Sequence, residues 1–210
     1  MSEESRKSHW DKAYTDKGEA GVSWFEDRPE LSLELIRQAC GTPATSLIDI
    51  GGGASRLVDA LVAQGWRSVT VLDVSETALL AARARLGKAA EQVQWIAADV
   101  TQWQPARAYD IWHDRAAFHF LVDRSERAAY VERLASAVKP GGHAIIATFA
   151  LDGPERCSGL PVVRYDGSML AAELGAAFAL LESRHHLHQT PWGSTQPFQY
   201  SLFLRVPDRA

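Results

Sequence analysis

A run of glycines behind an acidic residue is the part of the sequence best suited to binding a ligand. The stretch Leu47–Ile50 is apolar except for Asp49, Gly51–Gly53 follows, and an amphipathic stretch continues to about Gly65. Glycine permits positive φ and lets a ligand approach the backbone without an intervening Cβ. A helix that begins here would point free N–H groups at that ligand. Strand, glycine turn and helix together predict the nucleotide-binding corner of a doubly wound α/β sheet.

The residues around this turn narrow the class of ligand. Gly51 and Gly53 satisfy the first two positions of the dinucleotide fingerprint G-x-G-x-x-G, but Arg56 occupies the third. Asp49 lies two residues before the first glycine, where its charge would repel a pyrophosphate and attract an ammonium group. S-adenosylmethionine carries both an ammonium and a sulfonium group, so the turn favours it over a nicotinamide dinucleotide. An NAD-dependent oxidoreductase is the less favoured alternative, and a turn that binds nothing stays open.

Two further acids stand where neighbouring strands are predicted to end. Ser68–Leu72 reads as the second strand, and Asp73 follows it 22 residues after Gly51. An acid at this spacing is placed to accept hydrogen bonds from both ribose hydroxyls of an adenosine. Val93–Ala97 predicts the third strand, after which Asp99 could bind an adenine amino group and Val100 could cover the ring. The alternative for each acid is an ordinary residue at a strand end.

The fourth predicted strand supplies the candidates for the reaction itself. Tyr109 to Arg115 reads as a strand and its following loop, and ligands of such sheets lie at the carboxyl ends of the strands. We therefore expect His113, Asp114 and Arg115, together with His119, near the reacting atoms. Asp114 or His113 could remove a proton from an acceptor. The alternative for each histidine is a hydrogen-bonded packing residue.

Aromatic residues near the N-terminus predict a cover for the ligand. Residues 1–8 read as a frayed tail, after which Trp10 and Tyr14 are four apart and share one helix face. Trp24 follows in a glycine-flanked loop. These rings either pack a cap helix on the sheet or cover a bound cation, a contact worth about 0.5–2 kcal/mol. Residues 1–45 are predicted to form a helical cap on the domain formed by residues 46–210.

The C-terminal half completes a seven-stranded, mostly parallel sheet. Lys139–Gly142 predicts a turn into a fifth strand, His143–Phe149. Residues 152–165 read as a loop, in which Cys157 and Ser158 are candidates to line a pocket. Two alternating stretches, Leu180–His188 and Phe198–Val206, predict a hairpin whose last strand runs antiparallel. The fold class is therefore α/β, with a doubly wound, Rossmann-like sheet.

Histidines 185, 186 and 188 raise the possibility of a metal site. On a strand, His186 and His188 share one face and His185 takes the other. No cysteine or further histidine nearby completes a ligand set, so no metal is predicted.

The amino-acid composition limits the classes of protein to which the chain could belong. The chain has 210 residues, of which 46% are apolar and 23% charged, and a net charge of −4. These values predict one globular domain. Without a basic block or an apolar run of about 20 residues, neither nucleic acid nor membrane is an expected partner. The polar stretch Met1–Lys12 does not resemble a signal peptide, and Cys40 and Cys157 lie far apart. We therefore expect a reduced, cytoplasmic location.

Together these motifs resemble those of class I S-adenosylmethionine-dependent methyltransferases over nearly the whole chain. The likeness is closer to small bacterial enzymes and to elongation-factor lysine methyltransferases. These share a Trp-Asp-x-x-Tyr helix (Trp10–Tyr14), an aromatic pair (Trp24-Phe25) and an Asp-x-Gly-x-Gly-x-Ser turn (Asp49–Ser55). The resemblance implies S-adenosylmethionine as cofactor. With Asp49 and Gly53 of the turn, the implied contacts are Trp10, Tyr14, Trp24, Gly51, Asp73, Val74, Asp99, Val100 and Arg115.

The resemblance leaves the methyl acceptor open between two classes. The first expectation is in-line displacement onto a nucleophile of a small molecule, with reacting atoms about 3–3.5 Å apart. A protein lysine is the alternative, although Cys157–Pro161 is unlike the corresponding segment of the elongation-factor enzymes. The sequence has no Asn-Pro-Pro-Tyr or Asp-Pro-Pro-Tyr after the fourth strand, which disfavours amino methylation of bases or glutamine. A cofactor-binding scaffold without activity is a further alternative.

Overall fold

The computed structural model describes residues 3–207, and seven of the nine strands in these residues form one central sheet. The strands are β1 (Leu47–Ile50), β2 (Val69–Asp73), β3 (Val93–Ala97), β4 (Tyr109–Arg115), β5 (Val138–Phe149), β6 (Arg156–Cys157), β7 (Leu160–Pro161), β8 (Phe178–Gln189) and β9 (Thr195–Arg205). The helices are α1 (Glu3–Lys17), α2 (Glu30–Gln38), α3 (Leu57–Ala63), α4 (Glu76–Leu86), α5 (Arg124–Ala137) and α6 (Gly167–Leu174), with 3₁₀ turns at Gly87–Gln92 and Phe118–Phe120.

The order of the strands confirms the predicted fold class. The sheet runs β3-β2-β1-β4-β5-β9-β8, while β6 and β7 form a separate small hairpin. Strands β1 to β5 are parallel, and β9 lies antiparallel between β5 and β8. The direction of winding reverses between β1 and β4, and this switch point is where ligands of open α/β sheets bind.

Alternating side chains explain why helices cover both faces of the sheet. On β1 and β4, Leu47 and Ile111 pack on the face that α2 and α3 cover. Ile48 and Trp112, one position further along each strand, pack on the other face against α5 and α6. Successive side chains of a strand point to opposite faces, so each strand feeds two apolar layers. Helix α1 differs, since Ala13 is its one residue described as buried.

Three local predictions were wrong. Residues 3–8, predicted to be part of a tail, belong to α1. Lys139–Gly142, predicted to be a turn before the strand, lies within β5 as a wide bulge: β4 advances two residues, from Tyr109 to Ile111, while β5 advances five, from Val138 to His143. The predicted loop 152–165 contains the β6–β7 hairpin, whose turn places Ser158 at a φ of 48°.

The helices of residues 3–207 were also compared with the dimensions of a bilayer. None of them is both long and apolar enough to cross a membrane.

Candidate active site

A cavity opens at the carboxyl ends of β1, β2 and β4, below α1 and the loop that carries Trp24. Most of the residues predicted to contact the cofactor line it. They are Trp10, Tyr14, Trp24, Gly51, Asp73, Val74, Asp99, Val100 and Arg115. Asp49 lines a neighbouring cavity, and Gly53 lines neither of the two.

Gly53 lies directly beside the carboxylate of Asp73. The φ of Gly53 is 41°, and a Cβ there would lie 2.8 Å from Asp73 Oδ2 and 3.2 Å from the Tyr14 hydroxyl. Gly51 has a φ of 64°, and a Cβ there would lie 2.7 Å from the Ala117 Cβ. Side chains at these positions would fill the space around the carboxylate and the floor of the cavity. The two glycines therefore form a cradle that a Cβ would close.

Asp73, the last residue of β2, is 7% exposed. Its Oδ1 accepts a hydrogen bond of 2.7 Å from the backbone N–H of Ser75, which begins the turn into α4. Burial, with the nearby charges of Asp49 and Asp11, raises the pKa of Asp73 to about 7. A ligand hydroxyl that donates to this carboxylate would favour its charged form.

Asp99 follows β3 and has three donors around it. Its Oδ1 accepts hydrogen bonds from the backbone N–H of Thr101 at 2.8 Å and from the Thr101 hydroxyl at 2.7 Å. Its Oδ2 pairs with the guanidinium of Arg6, which also pairs with Glu126 at 2.6 Å. Sequence reasoning missed Arg6 because it lay in the supposed tail. The available signal was its spacing, four residues before Trp10 on the same helix face.

Aromatic side chains of the cap meet above the cavity. The Trp10 ring contacts Trp24 edge to face, with centroids 5.5 Å apart, and Phe120 with centroids 4.8 Å apart. The indole N–H of Trp24 donates to the Tyr14 hydroxyl at 3.2 Å. The structure thus brings together the three aromatic residues that the sequence predicted as a cover, and adds Phe120. Their contact with a bound cation stays a prediction.

The neighbouring cavity shares Tyr14, Trp24, Gly51 and Arg115 with the first. His113 lines it with both ring nitrogens engaged. Nδ1 lies 2.7 Å from Asp49 Oδ1, and Nε2 lies 2.9 Å from the Ser32 hydroxyl. His113 therefore joins β4 to β1 and α2, and proton transfer through it would require one of these bonds to break.

Asp114 points away from the cavity, towards α5. Its carboxylate accepts hydrogen bonds from the backbone N–H groups of Ala117 at 2.9 Å and Phe118 at 3.1 Å, and from the Tyr130 hydroxyl at 2.6 Å. Burial raises its pKa to about 6. The structure therefore does not bring this predicted base to the ligand, and its bonds fix the loop after β4 instead.

His119 is fully enclosed beside that loop. Its Nδ1 accepts a 3.3 Å hydrogen bond from the backbone N–H of Phe149, and burial lowers its pKa to about 3. A neutral, buried imidazole matches the alternative of a packing residue.

Arg115 is the β4 side chain that reaches both cavities. Its guanidinium donates to the Tyr200 hydroxyl at 2.8 Å, the Trp24 carbonyl at 2.8 Å and the Glu26 carboxylate at 2.9 Å. Arg115 therefore ties the loop of Trp24 to the sheet.

Cys157 lines the first cavity, where burial raises the pKa of its thiol to about 11. The thiol is therefore neutral near pH 7.

The three clustered histidines have separate partners. His188 donates from Nε2 to the Ser23 carbonyl at 2.7 Å, while His185 lies 3.2 Å from Asp152. His186 meets the edge of the Tyr200 ring. Their contacts join the hairpin to other segments.

The donor and acceptor set fits the adenosine part of S-adenosylmethionine. Asp73 and Asp99 offer carboxylate oxygens at one end of the cavity, where ribose hydroxyls and an adenine amino group are donors. The glycine cradle lets the chain of a ligand cross β1 without meeting a Cβ. Asp49 and Glu26 line the adjoining cavity with negative charge, which suits an ammonium group better than a pyrophosphate.

Similarity to known proteins supports the class of S-adenosylmethionine-dependent methyltransferases. Residues 47–142 match the family model described as a methyltransferase domain. Over 121 residues the chain is 27% identical to trans-aconitate 2-methyltransferase of Azoarcus sp. strain BH72, covering 58% of this chain and 46% of that protein. Over 140 residues it is 27% identical to nodulation protein S of Sinorhizobium fredii strain NBRC 101917 / NGR234, covering 67% and 63%. The match thus spans about half of the first relative and less than two thirds of the second.

Solved structures share the fold. An N-methyltransferase NodS from Bradyrhizobium japonicum WM9, in complex with S-adenosyl-l-homocysteine, superposes with a TM-score of 0.68 at 19% identity, covering 92% of this chain and 97% of that one. The 1,6-didemethyltoxoflavin-N1-methyltransferase of Burkholderia thailandensis gives a TM-score of 0.69 at 20% identity, covering 96% and 84%. Residues 47–142 therefore form a methyltransferase domain, and the shared fold supports the resemblance to class I S-adenosylmethionine-dependent methyltransferases.

Proposed function

We propose that this protein transfers a methyl group from S-adenosylmethionine to a nucleophile on a small molecule. The observation that carries the proposal is the pair of carboxylates, Asp73 and Asp99, beside a glycine-lined floor in one cavity. Similarity to a trans-aconitate 2-methyltransferase and to a didemethyltoxoflavin N1-methyltransferase supports a small acceptor over a protein lysine. The NAD-dependent alternative is disfavoured by the acids of the second cavity.

Each part of the cofactor has a proposed holder among these residues. Asp73 with Val74 would bind the ribose, and Asp99 with Val100 the adenine. Asp49 would favour the ammonium group from the second cavity. Arg115 would hold the loop of Trp24, and with it the cover, in place. Residues 1–45 act in this proposal as the cap of the domain formed by residues 46–210.

The bound cofactor supplies a methyl group that its sulfonium already activates, so the protein's task is placement. Phe120, Leu121 and Cys157 line the cavity wall near β4 and β6. These side chains would exclude water and hold the acceptor in line, which is where most of the rate gain of such a reaction arises. Asp114 and His113 are committed to internal hydrogen bonds. We therefore propose that they position the loop and the strand, in place of the proton transfer that the sequence suggested.

A labelled methyl group separates the two acceptor classes. The protein would be incubated with methyl-labelled S-adenosylmethionine and a cell lysate, which is then divided into small-molecule and protein fractions. The expected result is label in the small-molecule fraction, absent with Asp73→Ala. Label confined to protein would overturn the proposal in favour of the lysine alternative. Cofactor binding without label in either fraction would favour a scaffold.

A further inference from the structure

Arg6 joins the cap to two walls of the adenosine end of the cavity. Its side chain is 12% exposed and lies between Asp99, 3% exposed, and Glu126, 18% exposed. One terminal nitrogen pairs with Asp99 Oδ2 and the other lies 2.6 Å from Glu126 Oε1. Arg6 also lines the cavity itself. A residue of the cap thus touches the acid that faces the proposed adenine position.

The hydrogen bonds of Asp99 leave one of its carboxylate oxygens able to accept a further hydrogen bond. Each carboxylate oxygen has two lone pairs. Thr101 takes both lone pairs of Oδ1, and Arg6 takes one of Oδ2. Among the contacts of residues 3–207 one lone pair of Oδ2 is left for a further donor. Arg6 and Thr101 together fix the orientation of that lone pair and balance the charge behind it.

The attachment of α1 makes this arrangement conditional on the cap. Ala13 alone is buried among the described residues of this helix, which is held by polar contacts and by the ring contacts of Trp10 and Tyr14. Besides Arg6, Asp11 accepts hydrogen bonds from the Ser75 hydroxyl at 2.8 Å and the backbone N–H of Thr77 at 3.1 Å. The cation that completes the Asp99 acceptor is therefore present when α1 lies on the domain.

We propose that Arg6 is a positioning residue that makes the cavity select a purine with a 6-amino group over one with a 6-oxo group. The inference rests on the proposed cofactor site. A carboxylate held by Arg6 accepts from a 6-amino donor and repels a 6-oxo oxygen. Without Arg6 the carboxylate loses the contact that fixes the orientation of Oδ2, so its hydrogen bond to a 6-amino donor weakens and the selectivity decreases.

Calorimetric titrations with two probes test this role. S-adenosylhomocysteine carries the 6-amino group, and S-inosylhomocysteine replaces it by oxygen. The natural protein is expected to prefer the first by about 100-fold, the scale on which a lost, charge-assisted hydrogen bond discriminates. Arg6→Met should reduce the preference to less than about tenfold, chiefly by weakening the binding of the 6-amino probe. Glu126→Gln removes the charge of the other carboxylate that contacts Arg6, and it should leave the preference unchanged.

Several outcomes would contradict the proposal. If Arg6→Met weakens the binding of both probes by the same factor, Arg6 only fastens the cap. Equal binding of both probes by the natural protein would equally exclude the selective role. Arg6→Lys guards against misfolding as an explanation, since it retains the cation and should retain most of the preference. Failure of the natural protein to bind S-adenosylhomocysteine at all would instead overturn the proposed function.

Discussion

The ends of β2 and β3 and the end of β4 look alike in sequence but differ in the structure. Asp73 and Asp99 close two neighbouring strands and line the cavity. Asp114 and His113 stand at the equivalent end of β4, yet Asp114 faces α5 and His113 bonds Asp49 and Ser32. An ionisable group at a strand end can therefore bind a ligand only if its interior partners leave one of its polar atoms facing the cavity.

Side-chain direction accounts for the difference. His113 and Asp114 are consecutive, so they point to opposite faces of the sheet. On each face, buried donors or acceptors form hydrogen bonds with the side chain. Asp73 is the last residue of its strand, and one of its oxygens lies beside the cradle formed by Gly53. The half of the edge proposed to bind the cofactor has carboxylates that line the cavity, whereas internal hydrogen bonds hold the side chains of His113 and Asp114 at the end of β4.

The largest effect is expected from Asp73→Ala. This substitution removes two proposed hydrogen bonds from ribose hydroxyls to a carboxylate, each worth about 1.5–3 kcal/mol. Calorimetry should show the affinity for S-adenosylhomocysteine falling by at least about 100-fold. Thermal unfolding serves as the control for an intact fold. Unchanged affinity for S-adenosylhomocysteine in a folded variant would show that Asp73 does not bind the cofactor.

Asp114→Asn tests the other half of the comparison. The amide carries one acceptor oxygen in place of two, so it cannot satisfy the N–H groups of Ala117 and Phe118 and the Tyr130 hydroxyl together. We expect the free energy of unfolding to fall by about 2–3 kcal/mol in denaturant titrations, with little change in cofactor affinity.

Tyr130→Phe is the control that keeps the carboxylate. It removes one of these bonds and also the 2.8 Å bond from the Trp112 indole N–H to the Tyr130 hydroxyl, and it should cost about 2 kcal/mol. Loss of methyl transfer by Asp114→Asn at undiminished stability would assign Asp114 to catalysis and break the comparison.

The pH dependence of binding should come from Asp73. Its pKa in the folded protein is raised from 3.8 to about 7, so the folded, ligand-free state holds a proton that the unfolded chain loses at lower pH. This group's contribution to stability therefore decreases as pH rises from about 4 to about 7. Ribose hydroxyls favour the charged carboxylate, so binding below pH 7 releases a proton.

Calorimetry at pH 6 in buffers of different ionisation enthalpy should detect that proton. The affinity for S-adenosylhomocysteine should fall about tenfold for each pH unit below 7. Asp73→Asn should abolish both effects, and a proton release that persists in this variant would point to a different group.

The smallest effect is expected from Cys157→Ala at the acceptor end. The neutral thiol contributes packing, and its loss removes little apolar surface from the wall of the cavity. Cofactor affinity should stay the same, while KM for an identified acceptor should rise by about threefold, corresponding to less than 1 kcal/mol. A complete loss of activity would assign the thiol a part in the chemistry.

What the sequence predicts well are features set by neighbouring residues. Apolar alternation, the glycine turn and the acids after β2 and β3 follow from local spacing, and the structure places them as expected. The partners of His113 and Arg6 lie 81 and 93 residues away, at Ser32 and Asp99. No periodicity encodes such pairs, so the internal bonds of β4 and the cap's ion pair emerged only from the fold.

A crystal structure of the protein with S-adenosylhomocysteine tests the central claim most directly. The account predicts adenosine in the cavity between α1 and the ends of β2 and β3, with oxygens of Asp73 about 2.5–3.0 Å from both ribose hydroxyls. An adenosine bound elsewhere, or ribose hydroxyls that Asp73 does not reach, would contradict it.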